Sequence, residues 1–341
     1  MKFTQAASTL LAFTGLANAS LLPEERAGAI GTTHRFSSTF PKGIGSGSPS
    51  DMTTILNVTE VTTGIAALVK EYCVTSFATH YKTFEGRTVM GIKVGGSRSG
   101  ANTDYHIYLN GGIHARERTS HDSVLYFIAD LLYAQKQGTG LIYDKNTYTN
   151  AQDNSCWRKN RNTNSGKSGA SVGVDSNRNF DFVWHLSGSP SSEVFQGTAA
   201  FSEPETQDMK YVLDTFTKVR WYIDLHSIGG ITSDSTSTKY GEYISTTDLN
   251  NLKTVGSAPG SALTSAAGRP YTLMHDDYAF SRSFVDSSKN KVYSYTVEFG
   301  FANNALSCPF YITDATYTPN LQEIGSGYMN FILAAIDVGF E

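Results

Sequence analysis

Apolar side chains recur along the chain with two different spacings, which separate helices from strands. The helical spacing predicts four helices, over residues 61–73, 120–138, 201–216 and about 320–336. Short apolar runs predict strands at 89–96, 105–109, 219–225 and 292–299. Because helices alternate with strongly apolar strands, the pattern predicts a single α/β domain. We expect a twisted, mixed and largely parallel central sheet, flanked by helices on both faces.

Polar residues mark the expected ends of two of these helices. Ser120 stands where a cap for the helix 120–138 would lie. Ser202 and Glu205 have the spacing of a capping box, in which each side chain bonds a free backbone N–H of the first turn. Pro204 is compatible with a first turn because its missing N–H would have no partner there.

The first 19 residues have the organisation of a secretory signal peptide. Lys2 gives the positive start, residues 6–16 are mostly small or apolar, and Ala17-Asn18-Ala19 has the small-x-small form of a cleavage site. A membrane anchor is the alternative, but the apolar stretch is too short and too rich in Thr, Ser and Gly to span a bilayer.

The chain therefore divides into three expected parts. A signal peptide covers residues 1–19, and a Gly-, Ser- and Pro-containing stretch at 20–50 predicts a short pro-segment or N-terminal arm. The helix and strand pattern occupies 51–341, which is the size of one large domain. We expect a secreted, extracellular protein that is soluble and does not contact the membrane.

Composition narrows the class of function. The 341 residues are 17% charged and 40% hydrophobic, the balance of a soluble globular protein. A net charge of -4 and a pI near 6.1 argue against a nucleic-acid partner. The three cysteines, Cys73, Cys156 and Cys308, are too few for a disulfide scaffold. In an oxidising compartment, any two of the three cysteines could form one disulfide bond. Cys73 lies in an apolar helical pattern, which would suit a buried free thiol.

Three groups with metal-binding or acid–base chemistry follow predicted strands. His114 and Glu117 come after the strand 105–109, His226 ends the next candidate strand, and Glu298 lies near the end of 292–299. Sites in open α/β sheets form outside the carboxyl ends of strands, so these side chains can converge. Two imidazoles, a carboxylate and an open fourth position are typical of catalytic zinc. One Zn²⁺ ion would leave Glu298 as a base.

Each of these residues also has an ordinary interpretation when it is taken alone. A His-x-x-Glu pair arises by chance, since both residues are common. His226 would suit a hydrogen-bonded histidine under a loop, and Glu298 would suit a buried salt bridge. Gly111 and Gly112 are expected to let the backbone make the turn that presents both His114 and Glu117.

Basic residues suggest what the metal would act on. Arg158 and Arg161 fall in one cluster, Arg178 follows Asn177 in another, and Arg116 lies between the two candidate ligands. Such residues are often solvated surface charges. A guanidinium group also holds a carboxylate through two parallel hydrogen bonds. Combined with a metal and a carboxylate base, this chemistry indicates hydrolysis of the last peptide bond, next to a free C-terminus.

Taken together, these stretches resemble the zinc carboxypeptidases of the carboxypeptidase A/B type. The matching segments follow the family order and cover most of the chain from about residue 60: EGRTVMGIKVGG (85–96), GGIHARERTS (111–120), WRKNR (157–161), GVDSNRNFD (173–181), SEPET (202–206), YIDLHS (222–227) and YSYTVEFG (293–300). The resemblance implies a carboxypeptidase-like fold and a zinc carboxypeptidase catalytic domain over 51–341. It implies a secreted metallocarboxypeptidase that hydrolyses the C-terminal bond of peptides and proteins.

The resemblance also implies a role for each matching residue. One zinc ion would be bound by His114, Glu117 and His226. Glu298 would be the general base that takes a proton from zinc-activated water and passes it to the leaving amine. Arg161 would polarise the scissile carbonyl and stabilise the oxyanion.

The same resemblance implies which residues bind the substrate and which residue orients a zinc ligand. Asn177 and Arg178 would bind the terminal carboxylate of the substrate, and Arg116 and Arg158 would assist along the groove. Asp175 matches the carboxylate that orients a zinc-ligating imidazole, here that of His114.

The sequence departs from the family pattern before Glu298. The family closes a mobile tyrosine over the substrate, and Tyr278 is the best match although its spacing requires a short deletion; Tyr271 is the alternative. The same shift leaves three candidates for the base of the specificity pocket, Ser283, Phe284 and Val285. None of them is acidic, which favours release of an apolar or aromatic residue.

Two other functions are compatible with the same segments. A catalytically silent binding protein with this fold would usually have lost a ligand or the base, and this chain keeps them. A zinc amidase acting on a non-peptide or cell-wall substrate would not need the Asn177–Arg178 pair. We therefore expect an active carboxypeptidase, working as a monomer on substrates with a free C-terminus.

Overall fold

The computed structural model describes the larger part of the chain. The described residues are 9–14, 36–43, 55–95, 101–117, 119–137, 156–181, 184, 188–229, 231–234, 245–267, 271–275, 292–300, 310 and 314–340. Tyr278 and the three pocket candidates, Ser283, Phe284 and Val285, lie outside these ranges.

The described ranges form five helices and eight strands. The helices are α1 (Val58–Tyr72), α2 (Thr119–Gln137), α3 (Pro204–Thr215), α4 (Thr246–Ala267) and α5 (Asp314–Val338). The strands are β1 (Thr9–Thr14), β2 (Thr75–Lys82), β3 (Thr88–Val94), β4 (Tyr105–Gly111), β5 (Trp221–Ser227), β6 (Ile231–Asp234), β7 (Thr272–His275) and β8 (Tyr293–Phe299). The four predicted helices and four predicted strands are confirmed, while α4, β1, β2, β6 and β7 were not predicted.

The strands form one mixed sheet in the order β2-β3-β1-β4-β5-β8-β6-β7. The inner strands β1, β4, β5 and β8 are parallel, and β3 and β6 run antiparallel to their neighbours β1 and β8. Because β4, β5 and β8 are adjacent and parallel, their carboxyl ends meet at one edge of the sheet. The predicted mixed and largely parallel sheet is confirmed.

Alternation along β5 divides its side chains between the two faces of the sheet. Trp221, Ile223 and Leu225 enter the core that also contains side chains of α1, α2, α4 and α5. Tyr222 enters the second core, which α3 contributes to from the opposite face. Since side chains two residues apart share a face, His226 lies on the α3 side of the sheet. Helices therefore cover both faces, as predicted.

The N-terminal parts of the chain contribute to this domain. Residues 9–14, within the predicted signal peptide, form β1 between β3 and β4. Residues 36–43 belong to the predicted pro-segment or arm, and Phe36 there is buried in the core against α1 and α2. The cleavage of a signal peptide after residue 19 remains a prediction.

The predicted caps of two helices are wrong. Helix α2 begins at Thr119, so Ser120 lies inside the helix and its hydroxyl donates to the carbonyl of Glu117. Helix α3 has Glu203 at its N-terminal cap position with no side-chain cap bond, and Pro204 opens the first turn. The Ser202 hydroxyl instead donates to the Glu203 carboxylate at 2.7 Å. The Glu203 carboxylate is thus bound by residues outside helix α3.

Helix α4 forms in spite of its composition. Gly256, Pro259 and Gly260 lower its intrinsic helix propensity. Its buried side chains Leu252, Val255 and Leu263 pack in the core, and the helix lies against α5. Across the described ranges, no helix combines the length and the apolar character that a membrane crossing requires.

The cysteines differ from one another in environment. Cys73, which follows α1, is a free thiol and is exposed, so its predicted burial is wrong. It sits one residue past the last helical turn in a left-handed conformation, which turns it away from the apolar face of the helix. Cys156 is disulfide-bonded, and Cys308 lies outside the described residues.

Candidate metal centre and active site

A tight turn after β4 presents the first two candidate ligands. Gly112 has a φ of 91°, a conformation that side chains with a Cβ rarely adopt. A Cβ on Gly111 would lie 2.7 Å from the backbone oxygen of Ser120, so only glycine lets helix α2 start this close to the strand. The predicted role of these glycines is confirmed. The turn carries His114 and Glu117 to the edge of the sheet where β5 also ends.

Three side chains converge at this edge. The Nδ1 atom of His114 lies 2.7 Å from Glu117 Oε1 and 3.1 Å from Nδ1 of His226. The Nδ1 atom of His226 lies 3.0 Å from Glu117 Oε2. All three residues are buried, with no more than 2% of the surface of each exposed. The structure thus brings together the three residues that the sequence predicts as metal ligands.

A carboxylate orients each imidazole from behind. Nε2 of His114 lies 3.1 Å from Asp175 Oδ1, and Nε2 of His226 lies 3.0 Å from Asp224 Oδ2. Asn110 donates to the other oxygen of Asp224 at 2.7 Å, which fixes that carboxylate in turn. With an ion bound, each Nε2 would donate its proton to the carboxylate behind it, which would leave each Nδ1 lone pair for the ion.

Asp224 was not identified from the sequence. Its signal is a charged residue two positions before His226 in an otherwise apolar strand, and therefore on the same face. The spacing places both groups over the α3 side of the sheet.

The donor set fits a zinc ion. When both Nε2 atoms carry the proton, the two Nδ1 lone pairs and the Glu117 carboxylate face one another with no hydrogen between them. The distances among these atoms are 2.7–3.1 Å. Such an arrangement is repulsive unless a cation or additional protons lie between the groups. Nitrogen and oxygen ligands of this number are those of a zinc site that keeps one position open.

Electrostatics in the cluster favour positive charge. Burial alone would raise the pKa of Glu117, but His114 and His226 lower it below its ordinary value. Burial alone would lower the pKa of His226, but Asp224 and Glu117 raise it well above its ordinary value. Protons and a metal ion therefore compete for the same positions, so acidification weakens metal binding.

Replacing Asp224 with asparagine is expected to weaken zinc binding. The amide would keep the volume but not the negative charge that fixes the His226 tautomer, and loss of such a partner typically costs about 10–100-fold in metal affinity. Competition with a chromogenic chelator measures the affinity directly. Asp214→Asn, a surface substitution on α3, is the control. Unchanged affinity in Asp224→Asn would show that the carboxylate does not orient His226.

Glu298 lies beside the cluster on the neighbouring strand. Strand pairing sets Glu298 of β8 directly opposite His226 of β5, so the two side chains share the α3 face. Burial raises the pKa of Glu298, although His226 opposes the shift. A carboxylate with a raised pKa next to three candidate metal ligands is well suited to accept a proton.

Comparison with known proteins agrees with this geometry. The family model described as zinc carboxypeptidase matches residues 67–326, a range that holds both candidate histidine ligands, Glu117 and Glu298. The chain belongs to the zinc carboxypeptidase family. Its relatives include carboxypeptidase B of Helicoverpa zea, 35% identical over 44% of this chain, and carboxypeptidase B of Astacus astacus, 27% identical over 63% of it. The matches span 38% and 76% of those two proteins.

Solved structures of carboxypeptidases share the fold. Carboxypeptidase A from Helicoverpa armigera aligns with a TM-score of 0.63 and 20% identity, over 84% of this chain and 75% of the other. Thrombin activatable fibrinolysis inhibitor aligns with a TM-score of 0.65 and 19% identity, over 85% of this chain and 76% of the other. The predicted carboxypeptidase-like fold is therefore confirmed.

In this member of the zinc carboxypeptidase family, Arg158 and the candidate ligand His114 bind the same carboxylate, that of Asp175. Its Nε and Nη2 atoms donate to Asp175 Oδ2 at 3.0 and 2.8 Å, while Asp175 Oδ1 faces His114. Burial alone would lower the pKa of Arg158, but Asp175, Glu117 and Glu298 raise it. The side chain thus lies within electrostatic reach of both the ligands and the candidate base.

The remaining arginines have different surroundings. Arg161 lies over the ring of Trp157, with 4.8 Å between its guanidinium carbon and the ring centre. Arg116 stacks on Phe310 at 3.9 Å and donates to Glu193 at 3.2 Å. Each guanidinium group is thus held against an aromatic ring, and Arg116 directly precedes Glu117 in the chain.

Asn177 and Arg178 lie on a short 3-10 turn, Ser176–Arg178, directly after Asp175. The backbone N–H of Asn177 donates to Asp175 Oδ1 at 3.0 Å, which ties the turn to the carboxylate behind His114. The side-chain oxygen of Asn177 is buried and has no hydrogen-bond partner among the described residues. A buried polar atom without a partner is a candidate contact for a ligand.

Tyr271, the alternative for the mobile tyrosine, is a packed residue. It is buried in the core on the opposite face of the sheet, and its hydroxyl donates to Glu323 of α5. The backbone N–H of Gly300 donates to the same hydroxyl at 2.7 Å. Tyr271 therefore anchors the end of β8 and is unsuited to closing over a substrate. Tyr278 stays a prediction.

Stability is expected to fall as the pH rises from about 4.5 to 6, because burial raises the pKa of Glu205 to about 6. The ionised carboxylate is less stable in the folded protein than in the unfolded chain, so its cost is absent below the unfolded pKa and complete above the folded one. Glu205→Gln should raise the free energy of unfolding at pH 7.5 by about 1–2 kcal/mol. Urea unfolding at pH 4.5 and 7.5 tests this, with exposed Glu85→Gln as control. Equal gains at both pH values would contradict it.

Proposed function

We propose that the protein is a secreted, zinc-dependent carboxypeptidase that hydrolyses the C-terminal bond of peptides and proteins. The observation that carries the proposal is the convergence of His114, Glu117 and His226 beside Glu298, within 4.8 Å for the ligand atoms. Family membership supports the same reaction class. Peptides with a free C-terminus would be the partners, and the enzyme would act as a monomer.

Glu298 is the residue that moves protons in this scheme. His114, Glu117 and His226 would hold a zinc ion, which would supply a Lewis acid that activates water and polarises a carbonyl. Glu298 would accept a proton from the attacking water as the new C–O bond forms. It would then deliver that proton to the nitrogen of the leaving residue, so that the peptide C–N bond breaks and a neutral amine departs. The position of Glu298 beside His226 supports this assignment.

The contacts of the arginines favour Arg158 for the role at the scissile carbonyl, in place of the Arg161 that the resemblance implied. Arg158 shares Asp175 with His114, and its bonds to that carboxylate use Nε and Nη2 and not Nη1. That atom is available to donate to an oxygen that becomes negative during the reaction. Arg161 is stacked on Trp157, which suits a supporting contact further along the groove.

Asn177 and Arg178 would hold the carboxylate of the substrate. The NH₂ group of the Asn177 side chain can donate to a carboxylate oxygen, and the adjacent guanidinium group of Arg178 lies on the same short turn, Ser176–Arg178. Arg116 would line the groove next to Phe310. Because these contacts require a free terminal carboxylate, they favour an exopeptidase over an enzyme that cuts within chains.

The proposed activity is tested with blocked dipeptides that end in Phe, Leu, Lys or Glu, each prepared as the free acid and as the amide. Zinc-loaded protein should release the last residue from the free acids, more slowly from the amides, and from none after chelation. No release from any of them would contradict the proposal and favour a catalytically silent binding protein. Phe and Leu should be preferred, since Ser283, Phe284 and Val285 include no acid to pair with a basic residue.

The assignment of the two arginines has its own test. Arg158→Lys removes the fork that links Asp175 to the carbonyl position and should lower kcat by roughly 10²–10³-fold. Arg161→Lys keeps a cation over Trp157 and should act mainly on KM. The reverse pattern would return the carbonyl role to Arg161.

Secretion is tested by sequencing the N-terminus of protein recovered from the culture medium. Cleavage after Ala19 should give a chain that begins at Ser20. Residues 9–14 form β1 in the structure, so a cleaved chain would lack this strand. Secreted protein that still contains residues 9–14 would contradict cleavage at that position.

A further inference from the structure

The carboxylate of Glu203 lies behind the loops that carry the arginines. Only 1% of Glu203 is exposed. Its carboxylate accepts hydrogen bonds from Asn160 Nδ2 at 2.6 Å, from Asn162 Nδ2 at 2.9 and 3.1 Å, and from the Ser202 hydroxyl at 2.7 Å. Burying a carboxylate is costly unless hydrogen bonds satisfy its lone pairs, and here neutral side chains do so.

This carboxylate is not engaged in capping a helix. Glu203 occupies the N-terminal cap position of α3, where a short side chain such as Asp, Asn, Ser or Thr usually accepts from the first turn. Its side chain makes no such bond and faces the loops instead. The hydrogen bonds of the Glu203 carboxylate therefore do not stabilise helix α3 by capping it.

The two asparagines that bind Glu203 stand on either side of Arg161. Asn160 extends the contact further, since its Oδ1 accepts from the N–H of Val174 at 2.8 Å and its own N–H donates to the Val174 carbonyl at 2.9 Å. Val174 directly precedes Asp175, the carboxylate that binds both His114 and Arg158. A path of hydrogen bonds thus runs from Glu203 to the partner of a metal ligand.

A second path reaches the turn that holds Arg178. The backbone N–H of Glu203 donates to Asn179 Oδ1 at 3.1 Å, and Asn179 Nδ2 donates to the Ser202 hydroxyl at 2.8 Å. Asn179 is buried and follows Arg178 directly. Both loops that carry the candidate substrate contacts are therefore held at one point.

We propose that Glu203 is a positioning residue for substrate binding: it clamps the two loops so that Arg158, Arg161 and Arg178 keep their relative positions. Glu203 touches neither substrate nor metal. Its carboxylate acts directly on Asn160 and Asn162, and on Asn179 through the Ser202 hydroxyl. The proposal rests on the proposed carboxypeptidase function. Its expected signature is a change in how the enzyme handles the substrate carboxylate, without loss of the metal.

The test compares Glu203→Gln with Glu203→Asp and with a matched control. Glutamine has the same shape but directs an NH₂ group at one of the asparagine amides, which should shift the loops. A misplacement of about 1 Å costs roughly 10²-fold in rate. We expect Glu203→Gln to lower kcat/KM on the blocked Phe dipeptide by about 10–100-fold. Glu203→Asp keeps the charge and should recover part of the loss.

Selectivity separates positioning from a general loss of stability. The ratio of kcat/KM between the free acid and the amide of the same dipeptide should fall in Glu203→Gln, while zinc content stays at the wild-type value. Glu60→Gln is the control, since Glu60 is also buried and accepts from the backbone of Asn57 at 3.0 Å in a capping box of α1. It should lower the melting temperature and leave both kcat/KM and the ratio unchanged.

Each outcome decides a separate point. Wild-type activity and an unchanged acid-to-amide ratio in Glu203→Gln would overturn the positioning role. An inactive wild-type enzyme would contradict the proposed function instead. If Glu203→Gln is not recovered folded, Asn162→Ala removes one arm of the clamp from a partly buried loop residue. That variant should show the same change in the ratio at smaller amplitude, and a wild-type ratio there would also overturn the proposal.

Discussion

Replacing Glu298 with glutamine is expected to lower kcat by roughly 10²–10⁴-fold, the usual contribution of a positioned acid–base group. Glutamine has nearly the same shape but cannot accept a proton from water at neutral pH. The strand pairing with His226 should keep the side chain in place. Steady-state kinetics on a blocked Phe dipeptide measures the loss, and KM should change little because Glu298 is not proposed to bind the terminal carboxylate.

Two measurements accompany this variant. Zinc content, from elemental analysis of the dialysed protein, should equal that of the wild type, since Glu298 is not one of the three ligands. Glu85→Gln, an exposed change on the turn between β2 and β3, should be fully active. A Glu298→Gln enzyme with a near wild-type rate, or one that has lost its zinc, would remove Glu298 from the role of base.

Replacing His226 with alanine is expected to abolish both zinc retention and activity. Loss of a direct ligand should reduce zinc affinity by more than the roughly 10–100-fold that loss of an outer partner costs. Wild-type protein treated with a chelator should lose activity and regain it when Zn²⁺ is added, whereas His226→Ala should not regain it. Zinc titration with a chromogenic chelator and the dipeptide assay measure the two effects.

The fold of the variant must be checked without metal. Both proteins are compared in the presence of chelator, where the melting temperature of His226→Ala should lie close to that of the wild type. Loss of zinc with a native-like melting transition would assign the effect to the ligand. Stoichiometric zinc in folded His226→Ala would show that the ion binds elsewhere.

Most of the candidate metal centre could be predicted from the sequence, because each candidate ligand lies at the end of a strongly apolar strand or shortly after it. His114 and His226 were recognisable by their places after β4 and on β5, and parallel pairing of those strands makes such positions adjacent. Asp224 was missed although it lies on the same strand, because a single carboxylate in a strand has no motif of its own. Its partnership with His226 is visible only when the imidazole orientation is known.

Other elements could not be predicted because their stability comes from tertiary contacts. Helix α4 contains two glycines and Pro259, and it forms because Leu252 and Leu263 are buried. Leu263 packs closely on α5: a Cβ added to Gly327 would lie 3.0 Å from its side chain. Strand β2 lies at an edge of the sheet with most of its residues exposed or half-buried, so it lacks the apolar run of an inner strand. Which guanidinium group reaches Asp175 likewise depends on tertiary contacts, and in the structure it is that of Arg158.

The inner position of β1 has a consequence for protein production. β1 satisfies backbone donors and acceptors of both β3 and β4, and without it two unpaired strand edges would face each other in the middle of the sheet. Exposed edges of this kind pair with other chains and promote aggregation. The secreted monomer proposed to begin at Ser20 must therefore cover the β3 and β4 edges with another part of the chain. Protection of the β3 and β4 backbone amides from hydrogen exchange in that chain measures this.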